Sequence, residues 1–322
     1  MISRSRLFLV VVLCASLSMA AAPDSPANSP KDMLATGRVD EALRTLEQQA
    51  TQSDSAESNN LLCRAYFSLE QWDRAIAACE RATSQEPQKS LYHLWLGRAY
   101  GEKADRVSFF SAAGLAKKVR TEFERAVELD PGSIEARTDL AEFYLEAPGI
   151  VGGGKDKAQA QADALMKLNP GLAHWVMGRI AEKNKDLDAA EKEYRATIAV
   201  NHGGAHAWLN LALFYRHLKR YDDMEQTLRT MEKQPIDRAE SLTDGASIIL
   251  RNGRDYALGT RLVQKYLESK TVEESPVFKA RELLGELLEK QGDKKAAAEQ
   301  YKAALTLAKD YSKARESLKR VQ

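Results

Sequence analysis

A short pattern of apolar, small and aromatic positions recurs along the chain at a fixed spacing. The segment Leu62–Tyr66 (LCRAY) returns as Leu96–Tyr100 (LGRAY), 34 residues later. Self-similarity at such a period indicates an array in which each unit is one small supersecondary element. Ala, Leu, Glu, Lys and Arg are abundant, whereas aromatic residues make up only 7% of the chain. This composition favours helices, so the pattern predicts an all-α repeat protein.

The clearest unit has small, aromatic and apolar residues at defined positions: Cys63, Tyr66, Ala75, Cys79, Ala82 and Pro87. Their spacing resembles the pattern of the tetratricopeptide repeat family. With this spacing as a ruler, units begin near residues 23, 56, 90, 134, 171, 205, 239 and 278, and those from 23 and 239 are degenerate. The resemblance implies a right-handed superhelical solenoid of about seven to eight stacked antiparallel helix pairs, each with an A and a B helix.

The first 22 residues differ from the rest of the chain. Arg4 and Arg6 precede an apolar run, Leu7 to Leu13, which ends in small residues. This order predicts a secretory signal peptide in residues 1–22, cleaved after Ala20, and a periplasmic or secreted mature protein. An inner-membrane anchor formed by residues 7–22 is the alternative, although the apolar run is short for a span.

The remaining boundaries follow from the ruler. Residues 23–55 are interpreted as a flexible lead-in with a degenerate first repeat, and residues 56–310 as the solenoid. Residues 311–322 form a predicted capping helix, with Ala314, Leu318 and Val321 on one helical face.

The bulk chemistry argues against several classes of function. A net charge of +1 provides no global field for nucleic acid or an acidic membrane surface. No metal cluster, cofactor motif or nucleophile–base pattern is apparent, so we expect neither metal nor cofactor and no enzyme activity. Cys63 and Cys79 lie on facing helices of one repeat, either as free buried thiols, which we favour, or as a disulfide.

A glycine-rich stretch, Gly149 to Asp156 (GIVGGGKD), fits the first seven positions of a phosphate-binding loop. Such a loop follows a strand and has Ser or Thr after the lysine, whereas here a predicted helix, Ile134 to Glu146, precedes it and Asp156 follows the lysine. We therefore predict a structural turn that uses positive φ angles, with Asp156 as the N-cap of the next helix.

Two insertions fall between helices A and B of adjacent repeats, near residues 101–118 and 147–156. They should project from one edge of the solenoid. We expect Phe109 and Phe110 to pack beneath the glycine loop. The alternative is a binding site at this edge, because long ordered loops are often functional. Its candidate residues are Arg106, Phe109, Phe110, Lys117, Gly152, Gly153, Gly154 and Lys155.

The resemblance also implies a peptide-binding surface, since the family commonly holds peptides in the concave groove lined by its A helices. The ruler assigns ten residues to this groove: Asn60, Arg64, Phe67, Leu94, Arg98, Thr138, Glu142, Trp175, Arg179 and Arg216. Three of its arginines could clamp a partner's carboxylate. The alternative is that they pair with Glu57, Glu142 and Glu182 and only solvate the groove.

These observations predict a protein-interaction scaffold of the bacterial envelope whose partner is another protein or a peptide. Nucleic acid and membrane insertion of the mature chain are not expected. Two alternatives remain. One is a ligand-binding or enzyme-accessory subunit that uses the paired insertions, and the other is a structural protein that assembles with itself.

Overall fold

The computed structural model describes residues 29–50 and 53–322, except for the side chain of Phe110. The predicted signal peptide lies outside these residues. The described chain is helical with no strand, and its helices are α1 (Pro30–Ala35), α2 (Val39–Ala50), α3 (Ala56–Ser68), α4 (Trp72–Gln85), α5 (Ser90–Ala104), α6 (Phe109–Leu129), α7 (Ile134–Glu146), α8 (Lys155–Leu168), α9 (Pro170–Lys183), α10 (Leu187–Val200), α11 (Ala205–His217), α12 (Tyr221–Met231), α13 (Glu240–Asn252), α14 (Tyr256–Glu268), α15 (Val277–Lys290), α16 (Lys294–Leu307) and α17 (Ser312–Val321).

Successive helices pack as pairs, from α1 with α2 to α15 with α16, and α17 packs against α15 and α16. Each pair also contacts the next one, so the apolar faces are buried between neighbours, as in a solenoid. The predicted fold class, an all-α right-handed solenoid of stacked helix pairs, is confirmed.

Small residues allow the two helices of a pair to approach closely. Ala75 and Ala82 of α4 are fully buried. A Cβ atom at Gly97 of α5 would lie 2.5 Å from the Phe123 ring of α6, which is closer than real side chains come. Tyr301 would meet a Cβ atom at Gly285 in the same way. Close packing between the paired helices therefore requires small residues at these positions of the repeat.

Cys63 of α3 and Cys79 of α4 are joined by a disulfide bond, with their Cα atoms 5.2 Å apart. Our preference for free thiols was wrong. Both alternatives require the two residues to face each other across one helix pair, so the pattern alone does not distinguish them.

The first insertion is absorbed into helices. Helix α5 has 15 residues and α6 has 21, and only a short connection separates them. Phe109 begins α6 with its side chain 77% exposed, so the expectation that it packs beneath the glycine loop is wrong.

The glycine stretch is a compact turn that follows helix α7. Gly149–Val151 form one turn of 3₁₀ helix, and Gly152 has a φ of +103°, as the turn hypothesis requires. A side chain at Gly153 would collide with the backbone carbonyl of Ala147. Helix α8 begins at Lys155 with Gly154 as its N-cap, so the prediction that Asp156 caps it was wrong.

The two ends of the array meet. Thr271 Oγ1, between α14 and α15, donates a hydrogen bond of 3.2 Å to the Ala35 carbonyl at the end of α1. The backbone N–H of Lys309 donates to Asp40 Oδ2 of α2 over 2.9 Å. Helices α2 and α16 are also in contact. The solenoid therefore closes on itself.

Candidate functional site

Closure of the array forms two neighbouring cavities of about 560 and 790 Å³, both partly open to solvent. We call them the first and second cavities, and together the lumen. Side chains of the A helices α3, α5, α7, α13 and α15, of α17, and of the segment 273–276 line them. The two cavities share Phe67, Glu102, Glu274 and Lys279. Aromatic groups face the first cavity, including Trp95 and Phe143.

Arg64 of α3 is held by a carboxylate from the far end of the chain. Its Nε donates to Glu273 Oε1 over 2.7 Å, and its Nη2 donates to Glu273 Oε2. Only 12% of the Arg64 side chain and 10% of the Glu273 side chain remain exposed. The guanidinium also lies 5.3 Å from the centroid of the Trp95 ring. Two parallel charged hydrogen bonds fix its orientation.

Arg98 of α5 pairs with the next A helix. Its Nε donates to Asp139 Oδ2 over 2.6 Å, and its Nη2 donates to Glu135 Oε2 over 3.3 Å. Its guanidinium lies 5.0 Å from the Trp95 ring centroid, so Arg64 and Arg98 contact the same indole. Burial raises the pKa of Asp139, and the Arg98 charge offsets part of this rise.

Arg179 of α9 is also paired within the chain. It donates to Glu146 of α7, and its Nε lies 3.7 Å from Glu182 Oε1. All three arginines expected to bind a partner's carboxylate therefore hold carboxylates of their own protein. The alternative prediction paired the groove arginines with Glu57, Glu142 and Glu182. Among these three carboxylates, only Glu182 forms such a pair, with Arg179 on the same helix.

The other expected groove residues lie at different depths. Phe67 and Glu142 line the first cavity, and Thr138 lies in a smaller neighbouring cavity with Arg98. Asn60 and Leu94 are buried, each 2% exposed. Trp175 and Arg216 are half-buried.

The second cavity contains carboxylates that were not singled out from the sequence. Asp244 lies on α13, and Glu282 and Glu286 lie on α15. Glu282 and Glu286 stand in the repeat from residue 278 where Asn60 and Arg64 stand in the repeat from residue 56, so the sequence pattern contained a signal for them. Asp244 belongs to the degenerate unit from 239, where the ruler is weakest.

Burial perturbs the protonation of these carboxyl groups. Desolvation, followed by the nearby charge of Glu286, raises the pKa of Glu282 to about 8. Desolvation and the Glu240 charge raise the pKa of Asp244 to about 6. The Asp244 side chain is exposed to solvent within the concave second cavity.

The insertion edge does not gather its candidate residues into one cluster. Arg106 Nη1 donates to Glu102 Oε2 over 2.8 Å, and its guanidinium lies over the Trp72 ring. Lys155 Nζ donates instead to Asn184 Oδ1 over 2.6 Å, at the end of α9. Lys117 is exposed on α6. Gly152 packs against the Arg120 side chain, and the Phe110 side chain lies outside the described part.

Comparison with protein families identifies the class of protein. Two family models, both described as tetratricopeptide repeat, match residues 33–98 and residues 176–234 and 247–320. Together they cover more than half of the chain. The chain belongs to the tetratricopeptide repeat family. A search of curated protein sequences found no match.

Solved structures of repeat proteins resemble the fold. Yeast Tom70 is 14% identical with a TM-score of 0.51, and the match covers 94% of this chain and 66% of Tom70. The thermophilic TPR protein TTC0263 of Thermus thermophilus is 19% identical with a TM-score of 0.45, covering 61% of this chain and all of that one. A TPR protein from Parabacteroides merdae is 18% identical with a TM-score of 0.38, covering 84% and 99%.

No helix of residues 29–50 and 53–322 has both the length and the apolar character of a membrane span.

Proposed function

We propose that this protein is an exported scaffold that binds a segment of a partner protein along its lumen. The observation that carries this proposal is the closure of the array around two cavities with aromatic and charged linings. Their volumes lie in the range of ordinary ligand sites, and mixed linings of this kind suit recognition of side chains. Repeat families of this class serve as interaction surfaces, which supports a scaffold rather than an enzyme.

Two features support export to the bacterial envelope. The first 22 residues have the order of a signal peptide. The Cys63–Cys79 disulfide suits an oxidising compartment such as the periplasm, because cytosolic thiols are generally kept reduced.

A capture experiment with one steric change in the lumen tests the proposal. Ser247 is half-buried on α13 and lines the second cavity, so Ser247→Trp fills space there without changing charge. Ser84 is exposed on the B helix α4, and Ser84→Trp is the matched control. We expect the chain from residue 21 and Ser84→Trp to retain the same envelope partner, and Ser247→Trp to lose it. Equal retention by both folded variants would contradict binding in the lumen.

A second candidate surface is the insertion edge. Phe109 is 77% exposed and Ile150 is 87% exposed, one on each of the two insertions. A Phe109→Ser, Ile150→Ser variant in the same capture experiment separates the two surfaces. Loss of the partner from this variant alone would assign binding to the insertions.

A further inference from the structure

Charge is unevenly distributed between the lumen and the rest of the protein. The whole chain is balanced, with 47 basic and 46 acidic residues. The lumen lining, in contrast, contains twelve carboxylates and seven cations. Because concave, partly dehydrated walls concentrate the field of their charges, the lumen is an acidic site within a nearly neutral protein.

Pairing increases this imbalance. Six of the seven lumen cations, all except Arg251, form ion pairs with carboxylates of the chain. Seven lumen carboxylates have no ion-pair partner among the described residues: Asp105, Glu142, Asp244, Glu274, Glu282, Glu286 and Glu316. The lumen groups outside ion pairs are therefore mostly acidic, with seven carboxyl groups against one cation, Arg251.

Glu282 is the most informative of these carboxylates. It is 8% exposed, lines the second cavity, and accepts no hydrogen bond from any described residue. Burying a carboxyl group without a partner is unfavourable, and a native protein normally satisfies such a group. Glu286, one helical turn away on α15, lines the same cavity, and Asp244 of α13 lies across it. The three carboxyl groups therefore face one cavity, and none of them accepts a hydrogen bond from a described residue.

We infer that the lumen binds a lysine- or arginine-rich segment of the partner protein, an inference that rests on the proposed function. The ammonium or guanidinium groups of the segment donate to Glu282, Glu286 and Asp244. The alkyl stems of such side chains pack on apolar surface, which Leu250 and Leu283 supply in the same cavity.

An acidic segment fits the same lumen poorly. Arg251 is the one lumen cation of the described residues outside an ion pair. To reach Arg64 or Arg98, an acidic segment would have to displace Glu273 or Asp139, which hold these arginines by short charged hydrogen bonds. It would also approach the seven unpaired carboxylates. The sign of the preferred ligand is thus opposite to the one suggested by the arginines alone.

Fluorescence anisotropy with defined peptides tests this inference on the chain from residue 21. The probe is a labelled decapeptide of five lysine–alanine repeats, with glutamate–alanine and serine–alanine peptides as comparisons. The lumen variant is Glu282→Gln, Glu286→Gln, Asp244→Asn. The matched control variant is Glu128→Gln, Glu299→Gln, Asp163→Asn, which makes the same kinds of replacement at exposed positions on B helices.

We expect the lysine peptide to bind the parent and the control variant alike, and the lumen variant about tenfold more weakly, which corresponds to about 1.4 kcal/mol. The glutamate and serine peptides should not compete. Equal binding by the lumen and control variants, or equal binding of the glutamate peptide, would overturn the inference.

The two proposals fail separately. If Ser247→Trp abolishes partner capture but the lysine peptide does not bind, the lumen binds a partner of different charge and the inference is wrong. If the lysine peptide binds through the lumen carboxylates but Ser247→Trp leaves partner capture intact, the lumen prefers cationic peptides but the captured partner binds elsewhere, and the proposed function is wrong.

Discussion

Arg64 and Glu273 are 209 residues apart in the sequence and form a two-point ion pair, with Arg64 Nε 2.7 Å from Glu273 Oε1. The pair joins the second helix pair to the segment before the last one. It lies among the contacts that close the array, and it also forms part of the wall of the first cavity. Contacts that close the solenoid therefore also form the wall of the lumen.

Removing the Glu273 charge should loosen this closure. In Glu273→Gln, Arg64 keeps its position but loses the charge of its partner, and breaking a nearly buried pair typically costs about 3 kcal/mol. We expect amide hydrogen exchange in α1 and α2 to become at least about tenfold faster, since their docking on the far end is weakened. Glu135→Gln is the control, because Glu135 is exposed and Arg98 retains Asp139. Unchanged exchange in Glu273→Gln would contradict this role of the pair.

The disulfide should contribute measurably to stability. The Cys63–Cys79 bond closes a loop over a sequence separation of 16 residues, and such a loop stabilises by about 3 kcal/mol through restriction of the unfolded chain. We expect reductant to lower the urea midpoint of the wild type and to leave a Cys63→Ala, Cys79→Ala variant unaffected. A wild-type midpoint that does not respond to reductant would show that the bond contributes nothing.

Two glycine-to-alanine substitutions should change the free energy of unfolding in opposite directions. Gly97→Ala places a methyl group 2.5 Å from the Phe123 ring, and overpacking of this kind destabilises by about 1–3 kcal/mol. Gly114→Ala in α6 meets no atom within 4 Å, so the better helix propensity of alanine should stabilise by up to about 1 kcal/mol. Thermal unfolding followed by circular dichroism measures both. Equal effects of the two substitutions would mean that α5 and α6 do not pack this closely.

The raised pKa of Glu282 predicts a pH dependence of stability. Its pKa rises from 4.5 to about 8 on folding, so the native protein holds a proton that the unfolded chain releases between these values. Stability should therefore fall as pH rises through this window, by at most about 1.4 kcal/mol per pH unit for one group. The charges of Glu286 and Glu70 help to raise the pKa of Glu282, whereas the charges of Lys313 and Arg320 lower it.

Comparison of two variants isolates the contribution of Glu282. Glu282→Gln cannot titrate, so its unfolding midpoint should decline less between pH 5 and pH 8 than that of the wild type. Glu299→Gln, at an exposed position of α16, should follow the wild type. If all three proteins show the same decline, the Glu282 carboxyl group is not perturbed by burial.

The helix pairs could be predicted from the sequence because their determinants are local. Gly97 and Phe123, for example, belong to one pair, and the small positions recur within one period. The ruler also placed Arg64, Arg98 and Glu142 correctly on inward-facing helices. The partner of Arg64 could not be predicted from the sequence. The position of Glu273 depends on the small rotations between many successive helix pairs, which add up along the array. The sign of the lumen charge was missed for the same reason.

Chemical cross-linking tests closure of the array most directly. A zero-length carbodiimide reagent couples ion-paired amines and carboxylates, and Lys313 Nζ lies 2.9 Å from Glu70 Oε1, with Lys279 Nζ 3.3 Å from the same oxygen. Lys183 and Glu146, 2.9 Å apart on neighbouring A helices, provide an internal reference, and Lys313→Arg removes one reactive amine.

We expect mass spectrometry of the monomeric product to identify Glu70 coupled to Lys313, together with the Lys183–Glu146 product. In Lys313→Arg the Glu70 product with residue 313 should vanish while the reference product remains. If the reference product forms but Glu70 couples to neither Lys313 nor Lys279, the ends of the solenoid do not meet, and the array does not form an acidic lumen that binds a partner.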